Sequence, residues 1–68
     1  MEQETEKILE KIRTIRMEKK ISLLNLATVT GISHSHLYYI ESKRVIPSID
    51  VLVKLTKALE ISIKDLLE

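Results

Sequence analysis

The sequence has no cysteine, phenylalanine or tryptophan, and it holds a single glycine and a single proline. Without cysteine there is no disulfide framework and no cysteine-based zinc site, and the chain suits a reducing, cytoplasmic setting. Without phenylalanine and tryptophan the core must be aliphatic. One glycine and one proline leave room for few turns, and they argue for a helical domain and against a disordered chain. No apolar run approaches transmembrane length. The opening MEQETEK lacks the basic and apolar pattern of a leader. Sixty-eight residues allow one domain, 1–68, around one small core.

Net charge is also scarce, at +1. Its distribution is uneven. Residues 1–10 carry −3, residues 11–44 carry +5 and residues 45–68 carry −1. The basic charge is therefore concentrated in the middle of the chain, as in a nucleic-acid footprint, although a solvated helix face gives the same run.

That basic segment contains SLLNLATVTGISHSHLYYIE, from Ser22 to Glu41. Ser22 and Ser33 each open an apolar-periodic run, as helix N-caps do. Gly31 between the runs supplies the φ > 0 conformation a tight turn commonly needs. Ala27 is small enough for two helices to cross closely, and Leu26, Ile32, Leu37 and Ile40 pin the crossing from the core side. The spacing predicts a helix from about Ser22 to Thr30, a turn at Gly31 and a helix from about Ser33 to Ser42. This is a helix-turn-helix with its core at 22–42, and the second helix of that motif can lie in the DNA major groove.

The flanks complete an all-α bundle of five helices. Ile8, Ile12, Ile15 and Lys19 follow helical spacing and predict a first helix from about Thr5 to Lys19, with residues 1–5 frayed or forming its start. Ile21 plugs the core from the connection. Pro47 ends any helix before it. Ser48 caps a fourth helix reaching about Leu59 and burying Leu52, Leu55 and Leu59, with Asp50 in the first turn where the helix dipole favours an acid. Ser62 and Asp65 form a capping-box-like pair for a fifth helix burying Ile63 and Leu66. Arg16 and Glu41 fall on the inward stripes of the first and third helices. Two opposite charges at inward positions are costly unless they meet, so a buried Arg16–Glu41 salt bridge is expected.

Ile12-Arg13, Ile15-Arg16, Ile21-Ser22, Leu26-Ala27, Gly31-Ile32-Ser33, Ile40-Glu41, Pro47-Ser48 and Ile61-Ser62 fall in register with the phage-repressor and Cro family, also called XRE. The chain resembles that family from about Ile8 to Leu67. The resemblance implies a lambda-repressor-like DNA-binding domain, a buried Arg–Glu pair at Arg16 and Glu41, and base contacts from His34, Ser35 and Tyr39. His36 and Tyr38 lie nearby, at positions suited to phosphate or solvent. Three positions depart from the pattern. Leu23 stands where the family often has a DNA-contacting Gln, Leu24 where a polar residue is usual, and Lys43 where Gly is frequent. Lys43 is then strained by roughly 1 kcal/mol if its φ is positive.

The residue types suit a groove. Ser donates or accepts at either strand's bases, imidazole donates to guanine N7 or O6, and Tyr offers a hydroxyl and an apolar ring. On an isolated helix the two histidines and two tyrosines would be mere surface decoration. Backbone contacts are expected from Ser22, His36, Lys43 and Arg44, and from the N-terminal amides of the second and third helices; Lys19 and Lys20 stand near enough to add to them. Val45, Ile46, Val53 and Leu67 exceed what the C-terminal helices need for their own core, which points to a homodimer interface, with a place in the core as the alternative for Ile46. His34 and His36 are two residues apart and diverge on a helix, so they do not form the i, i+4 metal pair of a zinc site. No Gly-rich phosphate loop or catalytic triad is present. The expected partner is double-stranded DNA, with no cofactor, metal, membrane or small-molecule ligand and no enzyme activity. The expected role is a DNA-binding repressor or autoregulator; the alternative is a protein-interaction module on the same fold.

Overall fold

Serine side chains start four of the helices seen in the computed structural model, which describes residues 1–68. The helices are α1 (Gln3–Glu18), α2 (Leu23–Thr30), α3 (His34–Glu41), α4 (Ile49–Leu59) and α5 (Ile63–Leu67). The hydroxyls of Ser22, Ser33, Ser48 and Ser62 accept from the backbone N–H groups of Asn25, His36, Val51 and Asp65. Each bond satisfies one of the donors a helix start leaves unpaired, which is worth about 1 kcal/mol. At α5 the pairing is reciprocal, because the Ser62 N–H donates to Asp65 Oδ2 at 2.8 Å. α1 alone lacks a side-chain cap, and Glu4 and Glu6 in its first turn complement the dipole instead. It begins at Gln3, so Gln3 to Thr5 form its start, one of the two arrangements expected for residues 1–5.

The helix ends are equally local. The chain turns left-handed after α1, α2, α3 and α4, at Lys20, Gly31, Lys43 and Glu60, with φ of 58°, 75°, 65° and 57°. After α1, α3 and α4 the next two N–H groups fold back on the last turn in the double bond of a Schellman ending. The pairs are Lys20 to Met17 with Ile21 to Arg16, Lys43 to Ile40 with Arg44 to Tyr39, and Glu60 to Lys57 with Ile61 to Thr56. α2 ends on the simpler single bond from the Gly31 N–H to the Ala27 carbonyl, 2.9 Å. Only one of the four positions holds the residue for which this backbone is free of strain.

Leu9, Ile12, Leu26, Ala27, Leu37, Ile40, Leu55, Leu59 and Leu66 form the aliphatic core. α2 packs on α3 with Ala27 buried, α1 lies against α3 and α4 against α2, and α5 closes the bundle against α1 and α4. The buried arc of α1 is Leu9 and Ile12, flanked by half-buried Ile8 and Ile15, whereas Lys19 is exposed. Leu9 is thus the core residue that the Ile8–Ile12–Ile15 spacing passes over. Leu52 is only half-buried. Two further expectations fail at the C-terminal half. Ile63 is 39% exposed and contributes little to the core, and Ile46 is 67% exposed and takes no part in it. A helix as short as α5 turns only one residue, Leu66, fully inward.

Candidate nucleic-acid interface

The turn at Gly31 sets α3 across α2. A Cβ on Gly31 would meet nothing within 4 Å, so the glycine is required by its backbone conformation and not by space. The Thr30 hydroxyl seals the turn, donating to the Leu26 carbonyl at 2.7 Å and accepting from the Ile32 N–H at 3.3 Å.

α3 buries Leu37 and Ile40 completely, which fixes its rotation. The side facing away from those two residues carries Ser35, Tyr39 and Ser42, spaced i, i+4 and i+7, and all three are exposed. His34 and His36 flank this stripe at the N-terminal end and Tyr38 flanks it on the side of Glu41; they too are exposed. The residues expected at the bases, His34, Ser35 and Tyr39, therefore share one solvent-facing surface. Ser42 joins that surface and was absent from the sequence-based set, although its seven-residue spacing from Ser35 is the signal that finds it. The two tyrosine rings meet edge to face at 5.8 Å, and the Arg44 guanidinium lies 5.8 Å from the Tyr39 ring centroid. An exposed cation–π contact of this kind is worth about 0.5–1 kcal/mol and holds Arg44 beside the stripe.

The platform under the stripe is ionic. Arg16 Nε donates to Glu41 Oε2 at 2.8 Å, Nη2 donates to Oε1 at 2.9 Å, and Nη1 donates to the Ile21 carbonyl at 2.8 Å. The side chains are 13% and 6% exposed, so the expected salt bridge is present and largely buried. One guanidinium thereby ties the end of α1, the connection to α2 and the last residue of α3. No buried side-chain nitrogen or oxygen lacks a partner, which is the condition for a buried pair not to be a net cost.

Among the residues expected at the DNA backbone, Ser22 caps α2, leaving its exposed hydroxyl beside the amides of that helix's first turn. Arg44 is exposed and His36 lies in the first turn of α3. Lys43 differs from them. Its ammonium is paired with the carboxylate of Glu10 on α1. That contact, and the nearby positive charge of Lys7 to a lesser degree, holds the Glu10 carboxyl below its ordinary pKa of 4.5. The positive φ considered for Lys43 is present, at 65°. Leu23 is half-buried and packs against the core, and Leu24 is 63% exposed. Val45 and Val53 are half-buried, whereas Ile46, Ile49 and Leu67 are 67%, 76% and 68% exposed; Ile49 was not among the residues expected at an interface. No group of three or more His, Cys, Asp or Glu side chains is placed to hold a metal ion, and no helix is long and apolar enough to cross a membrane.

A protein-family model described as helix-turn-helix matches residues 12–66. It takes in the whole α2–turn–α3 unit and α1 from Ile12 onward. No curated protein and no solved structure matches the chain.

Proposed function

The chain belongs to the XRE-type helix-turn-helix family of DNA-binding regulators, and we propose that within it this protein is a sequence-specific transcriptional regulator, a repressor or autoregulator, that binds a palindromic operator as a homodimer. The observation that carries the reading is the exposed stripe of Ser35, Tyr39 and Ser42 on a helix whose opposite side is locked by fully buried Leu37 and Ile40. A rigid helix with short polar and aromatic side chains on its free face fits a major groove. In this reading His34, Ser35 and Tyr39 meet base edges, and Ser22, His36, Lys43 and Arg44 meet the backbone. Phosphate oxygens replace Glu10 at Lys43 when DNA binds. Ile46, Ile49, Val53 and Leu67, with Val45 beside them, form the two-fold contact, which sets two α3 helices about 34 Å apart, one helical turn of DNA.

Selection from a random duplex library tests the reading. A recovered palindrome, bound with an affinity that falls steeply with salt, supports it. Exposed Leu24 and Val29 on α2 support a second reading, a protein-interaction module on the same scaffold. Failure to enrich any sequence, with no salt-dependent binding to random duplex, would favour that second reading.

A further inference from the structure

Three cations stand along the seam between α1 and α3, and two of them are already neutralised. Arg16 is paired with Glu41, and Lys43 with Glu10. The third, Arg13, lies one turn before Arg16 on α1; it is exposed and makes no ion pair. Arg13 opens onto a cleft of about 340 Å³ that it shares with Arg16, Leu23, Tyr38, Glu41 and Ser42. The Arg16–Glu41 pair gives the cleft a nearly neutral, hydrogen-bonded base. Leu23 supplies an apolar wall, and Tyr38 and Ser42 bring hydroxyls from α3.

We propose that this cleft is an anion site and that its ligand is a phosphodiester of the DNA backbone, gripped by Arg13 with the Tyr38 hydroxyl. The proposal rests on the DNA-binding reading for its ligand. An uncompensated guanidinium is the group best shaped to take two phosphate oxygens at once. The cleft adjoins the proposed reading face on two sides. Ser42 belongs both to it and to the outward stripe of α3, and Leu23 is the first residue of α2, directly after the Ser22 cap. A strand bordering the groove that holds α3 therefore passes the mouth of the cleft. Arg13 also borders the adjoining cleft of Glu10, Thr14, Glu41 and Lys43, where a second carboxylate, Glu10, faces the cations; at the proposed site Glu41 is the only acid, and it is already bound to Arg16.

The test measures binding of the full chain to a random-sequence duplex across a salt series. Arg13→Gln should weaken binding about fivefold to tenfold near 0.1 M salt and lower the salt slope by about one. Arg13→Lys should keep the slope, and Tyr38→Phe should weaken binding a few-fold with the slope unchanged. Lys57→Gln, on the exposed side of α4, is the control for net charge. If Arg13→Gln leaves the slope unchanged, or if Lys57→Gln lowers it equally, the site is overturned. If the wild-type chain binds no duplex, the functional reading fails separately. The cleft is then judged by inorganic phosphate, followed by NMR at the Arg13 side-chain Nε–H. A saturable shift at Arg13, absent at Arg44 and lost in Tyr38→Phe, keeps the anion site, and no shift removes it.

Discussion

Arg16 and Glu41, twenty-five residues apart in sequence, meet through two parallel hydrogen bonds, and the third donor of the same guanidinium holds the Ile21 carbonyl. Each partner alone would be a buried charge without compensation. Arg16→Ala or Glu41→Ala should therefore cost about 3–5 kcal/mol, enough to unfold much of a domain this small. In thermal unfolding the loss corresponds to a Tm lower by more than about 12 °C. A shift of a few degrees would mean that water compensates the pair.

The left-handed residues give a prediction of opposite sign. Glu60 has φ of 57° and carries a negative charge at the negative end of α4. Glu60→Gly removes both penalties and should raise stability by about 1 kcal/mol. Gly31→Ala imposes the same strain where none exists and should lower stability by about 1 kcal/mol, although a Cβ there has open space. Urea unfolding of the two variants should move the midpoint in opposite directions.

Glu10 and Lys43 make stability depend on acid. Lys43 holds the folded-state pKa of Glu10 below 4.5, so the unfolded chain takes up this proton first. The contribution of the pair is complete above about pH 4.5 and is lost as pH falls through the lowered folded-state value. Glu10→Gln should remove that increment, giving a smaller loss of Tm between pH 5 and pH 3, about, than wild type shows. The same substitution frees the Lys43 ammonium. It should tighten binding to any duplex, and Lys43→Gln should abolish the gain.

Base contacts and backbone contacts should separate in binding. Substituting Ala for Ser35 or Tyr39, or Gln for His34, should cost about 1–3 kcal/mol on the operator and little on random DNA. Arg44→Ala should weaken both equally and lower the salt slope by about one. Equal losses on operator and random DNA for the first three would show that α3 does not read sequence.

The apolar C-terminal surface should hold two copies together. Ile49→Asp with Leu67→Asp replaces two exposed side chains, so folding should be unaffected while the dimer is lost. Sedimentation of the wild type as a monomer at high micromolar concentration, with and without DNA, would remove the two-fold arrangement.

The features legible in the sequence are those with a local cause. Ser22, Ser33, Ser48 and Ser62 mark helix starts because a hydroxyl can satisfy a nearby amide whatever the rest of the chain does. Arg16 and Glu41 could be paired because each violates an apolar stripe and each is the other's remedy. Leu9 was passed over because Ile8 and Leu9 both lie on the inward arc of α1, and only the position of the packed helices decides which is deeper. Ile63 was expected inside because it completes a periodic pattern, but a helix of five residues is too short to present two. The Glu10–Lys43 contact spans thirty-three residues and depends on how the chain leaves α3, which residue types alone do not specify. The cleft at Arg13 arises only where three helices meet.

The two tyrosines are the chain's only aromatic residues besides histidine, and both sit half-exposed on α3, with none in the core. Excited in the near ultraviolet, the molecule has no indole to report on its interior, so its emission comes wholly from the helix proposed to enter the groove. Fluorescence and near-ultraviolet dichroism of this protein consequently follow what lies against Tyr38 and Tyr39, while melting of the aliphatic core must be followed through the backbone. The unmodified chain thus carries an intrinsic probe for titrating its own reading face.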